Sequence, residues 1–179
     1  ESYLGMTLSR QNVNLIDDTV RAVRRVAPAF NHRDLHLNVF HHSRHYYDNI
    51  GVSEELSTES FPMIEKAMGQ RGAPRSAAQV LERAYLKNIA GYLEKRECPL
   101  SCLSSRVSCF ISPSGMVYPC SIWDRALANL KDVDYDLRTL WDRQSTEDVR
   151  REVDLKKCPG CWTPCEAYQT ILGNIGSLL

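Results

Sequence analysis

Along residues 1–41 the spacing of apolar positions changes twice. Residues 1–10, Glu-Ser-Tyr-Leu-Gly-Met-Thr-Leu-Ser-Arg, alternate loosely between apolar and polar and predict a buried strand with a polar C-terminal end. From Val13 the apolar residues fall three and four apart, at Val13, Ile16, Val20, Val23 and Ala27, which is the period of a helix. Asn12 suits its N-cap, Asp17 and Asp18 lie near the positive end of its dipole, and Arg21, Arg24 and Arg25 fall toward the other end. Those arginines read as a solvated face, and Pro28 ends the helix. Asp34-Leu-His-Leu-Asn-Val-Phe-His41 then predicts a second strand. Strand, helix and strand over this length make a βαβ unit, hence parallel strands and an α/β class.

Beyond residue 41 the pattern is more broken. A short helix is expected around Pro62–Met68, and a longer one from Ser76 or Ala77 to about Lys95, with Ala78, Leu81, Tyr85, Ile89 and Tyr92 as its apolar stripe. Two β-rich runs, Arg106–Ser112 and Met116–Cys120, flank Pro113-Ser-Gly115 and predict a hairpin. Val107, Cys109 and Ile111 share one face of its first strand, so Cys109 reads as a small buried hydrophobe. Residues 121–135 read as a loop and Asp136–Trp141 as a helical turn. Ser145 can cap a polar helix running through Val153, and Glu166–Leu172 is the last helix expected.

Composition narrows the class. With 43% hydrophobic and 25% charged residues this is a globular chain rather than a disordered one. Lysine plus arginine and aspartate plus glutamate number 22 each, so charge offers no argument for nucleic acid or a membrane surface as partner. No apolar run approaches the roughly 18–20 residues of a membrane span, and no signal peptide heads the chain. The chain opens at Glu1 directly on a strand, which is expected of a fragment of a longer protein or of a processed product.

The cysteines change the picture most. All seven lie between Cys98 and Cys165, which sets the domain boundary at 1–97 and 98–179. Such clustering suits a metal-binding module in a reducing, cytoplasmic compartment better than a disulfide framework. Cys158-Pro-Gly-Cys161-Trp-Thr-Pro-Cys165 puts three soft thiolate ligands around tight turns, and the hairpin end at Cys120 is the place to find another. Four of the five histidines, His36, His41, His42 and His45, crowd the end of the second strand and the loop after it. His41 or His42 could touch a substrate or cofactor there, or the segment could be a surface loop, with Tyr46 and Tyr47 adding aromatic surface.

Cys102-x12-Gly115-x4-Cys120, the Gly-Met-Val-Tyr-Pro-Cys run and Cys158-x2-Cys161-x3-Cys165 after a 37-residue gap together resemble the SPASM/twitch extension of radical S-adenosylmethionine enzymes. The resemblance covers roughly residues 98–172. It implies an auxiliary [4Fe–4S] cluster held by Cys102 and Cys120 plus two of Cys158, Cys161 and Cys165, with Cys98 in reserve. The full SPASM pattern has a further cysteine and supports two clusters, so this chain is closer to the shortened twitch variant.

The same resemblance makes residues 1–97 the C-terminal strands and helices of a partial (β/α)6 barrel, followed by a small α+β domain with the hairpin. Thr7, Ser9, Asn12 and Asn38 would then line an S-adenosylmethionine pocket. A second [4Fe–4S] cluster on a Cys-x3-Cys-x2-Cys motif would cleave S-adenosylmethionine in the intact enzyme. That motif is absent from these residues, so the chain alone is expected to be inactive. The implied partners are a peptide, protein or small-molecule substrate and a reductant such as flavodoxin or ferredoxin. The reading from a different class is a structural, zinc-ribbon-like module or a non-catalytic scaffold, since a hairpin and a Cys-x2-Cys turn also suit zinc.

Overall fold

A computed structural model describes residues 4–174, which form two compact units. The first takes the residues through Phe40 together with Ser53–Arg96. The second takes His41–Val52 and the residues from Glu97 on. No helix among the described residues is long and apolar enough to cross a membrane.

In the first unit the alternating segments become β1 (Leu4–Leu8) and β2 (Leu35–Val39), with α1 (Ile16–Arg24) between them. Residues 1–3 of the predicted first strand lie outside the described residues. The strands pair in parallel from Leu4 opposite Leu35 to Leu8 opposite Val39. Two expectations for α1 are corrected. It is entered through a 3-10 turn at Val13–Leu15, and it stops at Arg24, short of Pro28. Asn12 does not cap it, because its side chain is committed to the loop before: Oδ1 accepts the Ser9 N–H and Nδ2 donates to the Thr7 carbonyl, both at 2.9 Å.

The expected helix around Pro62 is α2 (Phe61–Gln70). The long helix to Lys95 is instead two, α3 (Ala77–Lys87) and α4 (Ile89–Lys95), jointed at Asn88, whose side chain donates back to the Ala84 carbonyl at 2.9 Å. Its buried face is Glu82, Tyr85, Leu86, Ile89, Tyr92 and Leu93, whereas Ala78 is exposed. Glu82 is only 2% exposed, and it is there for the backbone. Among the described residues the outer edge of β2 has no neighbouring strand, so its polar groups need other partners. Glu82 Oε1 accepts the Leu37 N–H at 3.1 Å, Tyr85 Oη accepts the Val39 N–H at 3.1 Å, and Arg71 donates to the Leu35 carbonyl. Arg71 and His36 in turn reach Glu82 at 3.3 and 3.2 Å.

The second unit holds the expected hairpin, β3 (Phe110–Ile111) and β4 (Met116–Tyr118), plus a third strand, β5 (Ala128–Asn129), on the other edge of β4. The region read as loop therefore contributes a strand and, after it, a 3-10 turn at Leu130–Val133. Gly115 closes the hairpin at φ +88°, and a Cβ there would lie 2.9 Å from Asn129 Oδ1, so glycine is required both by conformation and by β5. The shared buried face proposed for Val107, Cys109 and Ile111 is not formed: Val107 and Ile111 are exposed and Cys109 half-buried. The turn at Ser105–Val107 takes residue 107 out of the strand, and β3 is two residues long. Helices α5 (Leu137–Trp141), α6 (Gln144–Asp154) and α7 (Pro164–Gly173) complete the unit, and Ser145 lies inside α6 rather than capping it.

Candidate metal centre

Five of the seven cysteines surround one small cavity of about 20 Å³: Cys98 and Cys102 from the segment before the hairpin, Cys120 from its end, and Cys158 and Cys161 from the turn between α6 and α7. Cys98, Cys102 and Cys158 also face an adjoining cavity of about 570 Å³, so the ring has room on one side for a group of several atoms. Cys165 is exposed in the first turn of α7, and neither it nor Cys109 lines either cavity. Among the described residues no three His, Cys, Asp or Glu side chains converge tightly enough to hold a single metal ion. The thiols encircle a space instead of meeting at a point.

The local backbone explains why these five differ from the other two. Each has the amide two residues on close enough to favour its thiolate: Leu100 for Cys98, Ser104 for Cys102, Ile122 for Cys120, Gly160 for Cys158 and Thr163 for Cys161. The Cys120 sulfur also accepts the Trp123 N–H at 3.3 Å. In the Cys158–Cys161 turn this geometry depends on Gly160 at φ +71°. Cys165 cannot be served this way, since the Ala167 N–H is spent on the Thr163 carbonyl in α7.

Those amides favour thiolate, while burial and mutual repulsion oppose it. Burial pushes the Cys120 thiol up to about 12 and holds Cys161 well above its ordinary value, with charge on Cys120 and Cys102 adding to the second shift. The Cys158 thiol is raised mainly by burial. The hydrogen bond between Cys102 and Cys98 raises the first and lowers the second. A cation in the ring reverses this balance, because a coordinated thiol is deprotonated outright. The donor set, soft sulfur with pre-aimed amides, therefore fits an iron–sulfur group. Glu166 also borders the smaller cavity, held by Ser108 Oγ at 3.0 Å, and burial raises its carboxyl.

Thr7, Ser9, Asn12 and Asn38 belong to the first unit. Thr7 pairs with Asn38 across β1 and β2, and Asn12 binds main-chain atoms of Thr7 and Ser9, so all four gather at the C-terminal ends of the strands. In the histidine segment His41 is 6% exposed and the His45 side chain 4%, whereas Arg44, Tyr46, Tyr47 and Asp48 are exposed as a surface loop would be.

The fold and site define a thiolate-ringed centre built from a hairpin and a cysteine turn. Residues 102–162 match the SPASM family model, an iron–sulfur cluster-binding domain, and the second unit accordingly carries a domain of that kind. The matched span includes Cys102, Cys120, Cys158 and Cys161 and leaves Cys98 and Cys165 outside. No curated protein and no solved structure matched the chain.

Proposed function

We propose that the second unit holds one auxiliary [4Fe–4S] cluster on Cys102, Cys120, Cys158 and Cys161, with Cys98 as the spare thiolate, within a radical S-adenosylmethionine enzyme. The observation that carries the ligand choice is that Cys102, Cys120, Cys158 and Cys161 line one cavity and lie within the residues that match the SPASM model, whereas Cys98 lines it from outside that span and Cys109 and Cys165 do not line it. When bound, the cluster supplies one-electron transfer, or a Lewis-acidic iron if one corner is left without a thiolate. The protein keeps the sulfurs partly buried with main-chain amides beside them, and burial and hydrogen bonds to sulfur set the potential.

The radical-enzyme context is supported by the first unit. Its β2 edge is sealed by Glu82, Tyr85 and Arg71, as the last strand of a parallel sheet would be. β1 leaves Leu4, Gly5 and Thr7 exposed, although parallel strands are ordinarily buried on both faces. Both features suit the closing two strands of a partial (β/α)6 barrel, with Thr7, Ser9, Asn12 and Asn38 at the end where S-adenosylmethionine would bind. The substrate would be a peptide, protein or small molecule, the reductant a flavodoxin or ferredoxin, and the compartment the reducing cytoplasm.

Anaerobic reconstitution of the chain with iron and sulfide tests the first part. Four irons and four sulfides per chain with thiolate-to-iron absorbance are expected, and a colourless protein holding one zinc would overturn the reading. The coding sequence upstream of Glu1 tests the second. A Cys-x3-Cys-x2-Cys triplet there is expected, and an upstream sequence without one would leave a cluster-binding scaffold.

A further inference from the structure

The segment His41–Val52 leaves β2 and packs in the second unit through side chains that reach both halves of the cysteine ring. His41 Nε2 accepts the Trp162 N–H at 2.9 Å, immediately after Cys161. Ser43 Oγ donates to the Ser121 carbonyl at 2.6 Å, and His45 Nε2 lies 3.0 Å from the Cys120 carbonyl. The partners fix the tautomers: an amide only donates, so His41 Nε2 carries the lone pair, and a carbonyl only accepts, so His45 Nε2 carries the proton.

The segment is itself braced. Asn49 Oδ1 accepts the Ser43 N–H and Asn49 Nδ2 donates to the His41 carbonyl, both at 2.9 Å. The His45 ring is stacked on Tyr118 at 4.0 Å and 13° and meets the edge of Phe110 at 5.2 Å, so both hairpin strands grip it. Cys120 is consequently held at two points, its carbonyl by His45 and its sulfur by the Trp123 amide. Neither Nε2 is free to ligate a metal, because each is committed to the main chain.

We infer that His45 is a positioning residue for the cluster, fixing the Cys120 ligand from behind, and that the His41–His45 segment clamps the hairpin to the Cys158–Cys161 turn. This rests on the cavity being the cluster site. Partners that orient a ligand from outside the coordination sphere are worth about 10- to 100-fold in metal affinity when removed. The clamp therefore acts on cluster retention and on the environment of one sulfur, without touching iron.

The test compares His45→Phe, which keeps an aromatic ring between Tyr118 and Phe110 but loses the donor, with His45→Gln, whose amide can reach the position of Nε2. Each full chain is loaded anaerobically with iron and sulfide. The readouts are iron loss to a ferrous chelator, the cluster's midpoint potential and electron paramagnetic resonance signal, and circular dichroism of the unloaded chain. The expected result is about 10-fold faster iron loss and an altered potential and resonance signal in His45→Phe, with unchanged circular dichroism and recovery in His45→Gln. A phenylalanine variant with wild-type loss rate and potential overturns the inference. So does one that loses its fold along with the cluster and is not rescued by glutamine. A wild-type chain that takes up no cluster overturns the cavity reading and the inference with it.

Discussion

Cys109 and Cys120 belong to the same hairpin region, and their surroundings differ in every respect that matters to a ligand. Cys120 is 7% exposed, borders the cavity and accepts the Trp123 N–H on its sulfur at 3.3 Å. Cys109 is half-buried, sits beside Glu166 and faces neither cavity. Replacing Cys120 with Ala is expected to abolish cluster absorbance after reconstitution, whereas Cys109→Ala should retain it in full. Loss in the second variant with retention in the first would refute the ligand choice. Cys165→Ala, exposed and lacking the amide at the second position, should behave like Cys109→Ala in the same spectra.

At the scale of elements, the β2 edge makes the sharpest stability prediction. Glu82→Ala strands the Arg71 guanidinium, 8% exposed, without its carboxylate and leaves the Leu37 N–H unpaired. Losing one partner of a buried pair costs about 3–5 kcal/mol. Tyr85→Phe removes the hydroxyl that accepts the Val39 N–H, for about 1–3 kcal/mol. Denaturant titration of the two variants should rank them in that order. A weaker, pH-dependent tie joins α1 to α2. The Lys66 ammonium at 2.5 Å and His32 at 3.0 Å hold the Asp17 carboxyl below its ordinary value. A lowered carboxylate pKa gives stability that is present above the unfolded value and lost as pH falls through the folded one. Asp17→Asn should therefore cost about 0.2–1 kcal/mol near neutrality, the range for a largely exposed pair. The difference from wild type should vanish in acid, which urea titrations at two pH values would show.

These elements also mark what the sequence could disclose. The period of Val13, Ile16 and Val20 and the alternation of Leu35, Leu37 and Val39 reported the βαβ unit, because burial on one face leaves a trace in residue order. The joint at Asn88 left none, since the apolar spacing continues across it. Glu82 was invisible because its partner is a strand edge far along the chain. The five ring cysteines were legible as donors from type and spacing, and a reader of turns could have separated them from Cys109 and Cys165. Cys158-Pro-Gly and Cys161-Trp-Thr leave the second amide free to turn back, whereas Cys109 leads into extended backbone that carries that amide away and Cys165 lies in a helix. The clamp could not be read at all. It joins His45 to Cys120 and His41 to Trp162, and no local pattern records contacts so distant in sequence.

On the scale of the whole molecule, cluster binding and stability are coupled within one unit. A group that binds only the folded chain stabilises it by mass action, and the gain is confined to the cooperative unit that the ligand holds. The ring is contributed by segments near Cys98–Cys102, Cys120 and Cys158–Cys161, all in the second unit, and the clamp from His41–Val52 belongs to it too. Amide hydrogen exchange on the loaded and chelator-stripped chain should therefore show added protection in residues 98–123 and 156–163. The same gain is expected in 41–52, although that segment lies in sequence between two stretches of the first unit. Amides of α1, β2 and α3 should exchange at the same rate in both states. Protection spread evenly over both units would mean that they unfold as one. Protection that spares 41–52 while covering the cysteine segments would mean that the histidine segment is carried along by the fold and does not grip the ring.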